Sequence, residues 1–73
     1  MATIEAKSEV MGVVATVESK TGDRLDAGCT IMFIESMKMQ IPVVTEDGGT
    51  LRQVLVKAGD TVSEGQIVAL LET

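Results

Sequence analysis

Short apolar runs separated by turn-forming residues make up most of the chain. Five such runs stand out, each bounded by Gly, Asp, Ser or Thr: 13–17, 30–34, 39–44, 51–56 and 67–71. β-Branched residues are frequent in them, and no window keeps an apolar face at helical spacing beyond about two turns. The pattern predicts strands, and an all-β sandwich or flattened barrel is the expected architecture.

The chain also repeats itself at an offset of 37 residues. Residues 11–36 superpose on residues 48–73 with seven identities in 26 aligned positions. Four of the seven are residue types typical of turns: Gly12, Gly22, Asp23 and Gly28, each with its counterpart. Because either copy alone is too short to bury a core, we expect one domain over residues 1–73, with two equivalent halves sharing a core.

The repeat gives position 38 a special relation to the termini. The first copy runs from Glu35-Ser36 straight into Met37-Lys38-Met39, whereas the second ends at Glu72-Thr73. A pseudo-twofold between the copies would put Lys38 at the pole opposite the termini. A tight hairpin favours Asn-Gly or Asp-Gly, so a Met-Lys tip is costly for turn geometry. Such a cost indicates that the tip side chains serve a function.

Missing residue types exclude most catalytic chemistry. The chain has no His, Trp or Tyr and a single Cys, Cys29. Imidazole acid–base catalysis, His-rich metal sites and aromatic stacking on bases are therefore not expected. With 6 basic and 11 acidic residues, a net charge of -5 argues against a nucleic-acid partner. We interpret Cys29 as structural and the Gly-Asp pairs at 22–23 and 59–60 as turns, and we expect no metal site.

The longest aliphatic run, 67–71, is far shorter than the roughly 20 residues of a membrane-spanning helix. The first ten residues alternate charged with apolar side chains and lack the basic start and apolar core of a signal peptide. We therefore expect no membrane association and a cytoplasmic location.

The segment Glu35-Ser36-Met37-Lys38-Met39 resembles the attachment motif of the biotin/lipoyl attachment domain family, and within it the biotinyl domains of biotin carboxyl carrier type. In that motif a lysine between two methionines is acylated by biotin. The resemblance covers about residues 4–71. Ser36 stands where the commonest motif has Ala, and only Met11 and Gly12 match the Pro-Met-Pro-Gly-like segment of many members. The resemblance implies two four-stranded antiparallel sheets in a flattened barrel with quasi-twofold symmetry, and Lys38 on an exposed hairpin.

The function implied by the resemblance is that of a non-catalytic biotin carboxyl carrier. A biotin protein ligase would join biotin to Lys38 by an amide bond, and Lys38 would carry carboxybiotin between a biotin carboxylase and a carboxyltransferase. Met37 and Met39, with Ser36 and Glu35, would contact the ligase and these partners. We expect Met37 to be exposed, while Met39 could equally pack inward. Glu35 could instead share a structural role with its counterpart in the second copy.

Two other functions stay open at this point. The first is a lipoyl carrier, or a protein that accepts either biotin or lipoate. Lipoyl domains typically have an acidic residue before the lysine and Ala after it. Met37 and Met39 stand at these positions here, which disfavours a lipoyl carrier. The second is an interaction module that uses the β-hairpin without modification, in which Lys38 is an ordinary solvated lysine. The carboxylase and its acyl substrate are not determined, because the carrier meets only the biotin-borne carboxyl group.

Overall fold

The computed structural model describes residues 2–73, and within that range it contains eight strands and no helix. In chain order the strands are β1 (Thr3–Lys7), β2 (Gly12–Val17), β3 (Arg24–Leu25), β4 (Thr30–Ser36), β5 (Met39–Val44), β6 (Gly49–Val54), β7 (Thr61–Val62) and β8 (Ile67–Glu72). They form two four-stranded antiparallel sheets, with strand orders β1-β8-β6-β3 and β5-β4-β2-β7. The predicted all-β architecture of two four-stranded sheets is confirmed.

The two sheets are built from corresponding strands. Adding 37 to the bounds of β2 and β3 gives the bounds of β6 and β7, and β4 corresponds to β8. Each strand therefore occupies in one sheet the position that its counterpart occupies in the other. The correspondence also includes β1 and β5, which the sequence repeat at 11–36 does not reach. Ser8 directly follows β1, and Thr45 directly follows β5 at the corresponding position. The buried hydroxyl of Ser8 donates to the Val10 carbonyl oxygen at 2.6 Å, and that of Thr45 donates to the Asp47 carbonyl oxygen at 2.5 Å.

The core fills the space between the sheets with aliphatic side chains from both halves. Corresponding positions are fully buried in pairs, such as Ile31 with Val68 and Ile34 with Leu71. The remaining core residues are Ala6, Val14, Leu25, Met32, Val43, Leu51, Val62 and Ala69. Because each sheet forms one wall of the core, and each contains strands from both halves, neither sheet can exclude water from its apolar face without the other.

The strand predictions differ from the structure in three places. The run 51–56 was predicted as a strand, but β6 begins at Gly49 and ends at Val54. The short strands β3 and β7 were not predicted, because each is two residues long and includes one apolar residue, Leu25 and Val62. The apolar runs also missed β1, an edge strand whose half-buried Ile4 and buried Ala6 alternate with exposed polar and charged residues.

Gly12 was predicted to be a turn residue, and that interpretation is wrong. Gly12 is the first residue of β2, and a Cβ atom there would lie 2.3 Å from the main-chain oxygen of Glu35. Its counterpart Gly49 begins β6, and a Cβ there would lie 2.8 Å from the main-chain oxygen of Glu72. Both positions need glycine because another strand passes too close for a side chain. By contrast Gly22, with a φ of 98°, is a true turn residue.

The molecule is elongated, with extents of 36 × 18 × 18 Å. The start of β2 lies beside the end of β4, through the pair Val13 and Glu35. β2 then runs away from the turn toward β3. In β3, Arg24 pairs with Thr50, and Thr50 also pairs with Glu72 at the end of β8. The β4–β5 turn and the terminal residues therefore lie at opposite ends of the barrel, which we call the tip pole and the terminal pole.

Candidate functional site

The connection between β4 and β5 is a two-residue turn with an uncommon backbone. Ser36 pairs with Met39, and the intervening Met37 and Lys38 have φ angles of 52° and 67°. Positive φ at both central positions is the geometry of a type I′ turn, for which Asn-Gly is favoured. Left-handed backbone costs a non-glycine residue about 1–2 kcal/mol. Within residues 2–73 these are the two non-glycine residues with positive φ, so the cost is concentrated at the tip.

The strands on either side of the turn hold it in this conformation. β4 and β5 form an antiparallel ladder whose register is regular from Met32 up to the turn, and its pairs include Ile34 with Ile41 and Glu35 with Gln40. Ile34 is fully buried, so the ladder is anchored in the core two residues before the turn begins. A type I′ turn matches the right-handed twist of such a ladder, whereas a type I turn would splay the strands. The packed ladder therefore offsets the conformational cost at Met37 and Lys38.

The three residues at the tip project into solvent. Met37 is 91% exposed, Met39 is 63% exposed, and Lys38 is exposed between them. For Met39 the structure thus decides between the two orientations that the sequence allowed, because Met39 pairs with Ser36 beyond the edge of the core. Among residues 2–73 no hydrogen bond or ion pair involves the Lys38 ammonium group. Its amine is accessible from outside.

Glu35 and Ser36 lead into the turn on β4. Glu35 is exposed and lies between Val13 on β2 and Gln40 on β5, while Ser36 is half-buried. The counterpart of Glu35 is Glu72, which forms an ion pair with Arg52 in the other sheet. Glu35 has no ion-pair partner within the described part of the chain.

The register explains why the two glutamates differ. Arg52 lies in an irregularity of β6, between the pairs of Leu51 and Gln53. Ala15 lies in the same irregularity of β2, at the position that corresponds to Arg52. Because alanine has no charge, the carboxylate of Glu35 stays available to a cation from another molecule.

Met11 is a tip residue that the functional interpretation of the sequence did not include. It is 70% exposed and directly precedes β2, whose second residue, Val13, pairs with Glu35. Met11 therefore lies at the tip pole with Met37 and Met39. The signal that could have found it is its match to the Pro-Met-Pro-Gly-like segment.

The other candidate residues have structural surroundings. Half-buried Cys29 packs against the core, and its carbonyl oxygen accepts a hydrogen bond from the Thr45 amide at 3.0 Å. The Oδ2 atom of Asp23 accepts a hydrogen bond from the Lys20 amide at 2.9 Å, which is a turn interaction. Asp60 does the same in the second copy. Residues 2–73 contain no group of three or more side chains arranged to hold a metal ion. They also contain no helix long and apolar enough to cross a membrane.

Comparison with known proteins gives matches over nearly the whole chain. A family model described as "Biotin-requiring enzyme", for biotin and lipoyl domains, matches residues 4–71. The biotin/lipoyl attachment protein of Bacillus subtilis is 37% identical over 60 residues, which are 82% of this chain and 82% of that protein. The urea carboxylase of Kluyveromyces lactis contains a region that superposes with a TM-score of 0.94 at 29% identity. That region covers 99% of this chain and 6% of the carboxylase.

Two further relatives are much longer than this chain. The mitochondrial propionyl-CoA carboxylase alpha chain of Homo sapiens is 42% identical over 90% of this chain, which spans 9% of that relative. The dihydrolipoyllysine-residue succinyltransferase component of the 2-oxoglutarate dehydrogenase complex of Staphylococcus saprophyticus is 36% identical over 90% of this chain, which spans 16% of it. The relatives therefore include a carboxylase chain and a protein named for lipoyl-lysine.

Proposed function

The chain belongs to the biotin/lipoyl attachment family, and on this basis we propose that it is a biotin carboxyl carrier with Lys38 as the attachment site. The observation that carries the proposal is the exposed amine of Lys38 on a type I′ turn between two exposed methionines. Left-handed backbone at two non-glycine residues is costly, and strain of this kind is concentrated at functional sites.

The lysine supplies the nucleophile and needs help from an enzyme. A lysine amine is protonated at neutral pH and does not attack a free carboxylic acid. A biotin protein ligase would present biotin as an activated acyl group, and Nζ of Lys38 would form the amide bond as the activating group leaves. Acylation removes the positive charge of Lys38, so the chain would carry 5 basic and 11 acidic side chains instead of 6 and 11, and its net charge would change from -5 to -6.

The barrel acts as a rigid base for the attached group. Lys38 lies at one end of a molecule whose longest extent is 36 Å, so its side chain and the attached biotin form a flexible arm beyond the folded core. Biotin on this arm supplies a carrier for a carboxyl group between a biotin carboxylase and a carboxyltransferase. Tethering raises the effective concentration of the group at both active sites, so the domain itself needs no catalytic residue. A cytoplasmic location, without membrane or nucleic-acid partners, stays a prediction.

The residues around Lys38 would provide recognition. Met37 and Met39 offer flexible apolar surface to the ligase and to the two partner enzymes. The carboxylate of Glu35 would attract a basic side chain of a partner, and the small side chain of Ser36 would leave the approach to Lys38 open. We expect Met37→Ala and Met39→Ala each to slow ligase-catalysed acylation about tenfold with no loss of folded structure. Leu55→Ala, at an exposed apolar residue outside the turn, is the control. Unchanged rates for both methionine variants would rule out this role.

The same lysine could instead carry lipoate, and a relative named for lipoyl-lysine gives this alternative a specific basis. We favour biotin because methionines occupy both positions next to Lys38. The test incubates the protein with biotin protein ligase, biotin and ATP, and separately with lipoate ligase, lipoate and ATP. Intact-mass spectrometry with fragmentation then locates any adduct. We expect a biotinyl group on Lys38.

The other outcomes of this experiment distinguish the alternatives. A lipoyl group alone would replace the biotin proposal with a lipoyl carrier, and both groups would indicate a dual attachment protein. If neither ligase modifies the protein, the hairpin would instead be an interaction module.

A further inference from the structure

The methionines of the described chain fall into two classes of exposure. Met37, Met11 and Met39 are 91%, 70% and 63% exposed, whereas Met32 is fully buried. All three exposed methionines lie at the tip pole. Met32 lies in the middle of β4, in the core between the two sheets. The thioether sulfurs nearest to the modified lysine are therefore those that solvent reaches most easily.

Exposed thioethers react with peroxides. The sulfur lone pair attacks one oxygen of hydrogen peroxide and the O–O bond breaks, giving one sulfoxide and one water. The sulfur loses two electrons and the peroxide gains them. Access governs the rate, and the product is polar and chiral where the thioether was apolar and flexible.

We propose that Met37, together with Met39 and Met11, forms a peroxide-oxidation site whose sulfoxides slow acylation of Lys38 while the fold stays intact. The inference rests on the proposed function, because it needs Lys38 to be acylated. None of the three exposed methionines belongs to the core or packs against it, so their oxidation removes no stabilising contact. A ligase surface that binds apolar thioethers meets polar sulfoxides instead. Acylation falls by about tenfold, which corresponds to about 1.4 kcal/mol.

Peptide mapping tests the oxidation itself. Each protein carries Cys29→Ser, so that thiol oxidation does not contribute. The protein is treated with hydrogen peroxide for increasing times, the peroxide is removed with catalase, and sulfoxides are located by fragmentation mass spectrometry. We expect sulfoxide at Met37 first, then at Met11 and Met39, with Met32 unmodified while circular dichroism is unchanged. Sulfoxide at Met32 forming as fast as at Met37 would overturn the proposal.

Acylation assays test the consequence. Oxidised and untreated proteins are incubated with biotin protein ligase, biotin and ATP, and biotinyl-Lys38 is measured by mass. We expect the oxidised protein to react about tenfold more slowly. Treatment with methionine sulfoxide reductases for both epimers should restore its rate.

A leucine variant separates oxidation of the tip from other damage. The triple variant Met11→Leu/Met37→Leu/Met39→Leu keeps apolar side chains without sulfur, so we expect peroxide treatment to leave most of this variant's own acylation rate. Equal rates for oxidised and untreated wild-type protein would overturn the inference and leave the carrier function standing. An untreated protein that neither ligase modifies would overturn the carrier function itself, and this inference with it.

Discussion

At the tip pole, Met37 and Lys38 connect β4 to β5, whereas at the terminal pole the corresponding strands β8 and β1 are not connected at all. There the Thr73 amide donates a hydrogen bond to the Ala2 carbonyl oxygen at 3.0 Å. The Thr73 side chain also accepts one from the Ala2 amide at 3.2 Å. The same pair of strand ends is thus held by hydrogen bonds at one pole and by a strained turn at the other.

The two poles also differ in whether their glutamates are paired with a cation. At the terminal pole Glu72 is paired with Arg52, so its charge is compensated within the molecule. At the tip pole Ala15 stands where Arg52 stands in the other half, and Glu35 has no ion-pair partner among residues 2–73. The comparison indicates that the terminal pole satisfies its own groups, while the tip pole leaves an amine, a carboxylate and thioethers available to partners.

The largest expected effect is the loss of acylation when Lys38 is replaced, compared with replacement of the two lysines of the repeat. Lys38→Arg should abolish acylation by the ligase, because an arginine guanidinium does not supply a nucleophilic amine. Lys20→Arg and Lys57→Arg change corresponding lysines of the two halves and serve as matched controls. Intact-mass spectrometry after incubation with ligase measures the result. A biotinyl group persisting on the Lys38→Arg protein would contradict the assignment.

Glycine substitution compares how closely the strands approach each other in the two halves. Gly12→Ala should destabilise the fold by about 3 kcal/mol, because its Cβ would collide with the main chain at Glu35. Gly49→Ala should cost about 1–2 kcal/mol, because the approach to Glu72 is less close. Urea unfolding followed by circular dichroism measures both values. Equal costs would show that the difference in approach has no energetic weight.

Relieving the strain in the turn should raise the free energy of unfolding and slow acylation of Lys38. Met37→Asn places a residue that tolerates left-handed backbone at a φ of 52°, and we expect a gain of about 0.5–1 kcal/mol. Acylation should slow, since an apolar contact for the ligase is lost. Met11→Asn, at an exposed methionine without positive φ, should give no gain in stability. A Met37→Asn protein no more stable than the wild type would mean that the turn is unstrained.

The smallest expected effect comes from making the two glutamates alike. Ala15→Arg gives Glu35 the cation that Arg52 gives Glu72, and we expect a gain of about 0.5 kcal/mol or less, as for exposed ion pairs. Acylation should slow about twofold, because Glu35 is then less available to a basic partner group. The reciprocal variant Arg52→Ala should leave acylation unchanged. High salt should remove the stability gain through screening, and a gain that survives high salt would point to packing instead.

Most of the fold could be predicted from local patterns. The runs 30–34 and 67–71 become the central strands β4 and β8, since continuous aliphatic runs are typical of buried strands. Edge strand β1 escaped prediction because its inward residues, half-buried Ile4 and buried Ala6, alternate with polar ones and form no continuous apolar run.

At the candidate site, the sequence indicated Lys38 and the cost of its turn, because turn preferences act over neighbouring residues. It could not decide the orientation of Met39, which depends on where the core ends. It also could not show that Met11 lies at the tip pole, because that position follows from the pairing of β2 with β4.

The amino-acid pattern alone was enough to predict the strand-rich architecture and to identify the lysine between two methionines, because both depend on residues that are neighbours in the sequence. The need for glycine at position 12, and the lack of an ion-pair partner for Glu35 among residues 2–73, follow only from contacts between strands that are distant in the sequence. Each depends on a residue that is far along the chain but on the neighbouring strand of the sheet, at Glu35 for the glycine and at Ala15 for the carboxylate. Cross-strand distances of this kind are set by the packing of both halves around one core.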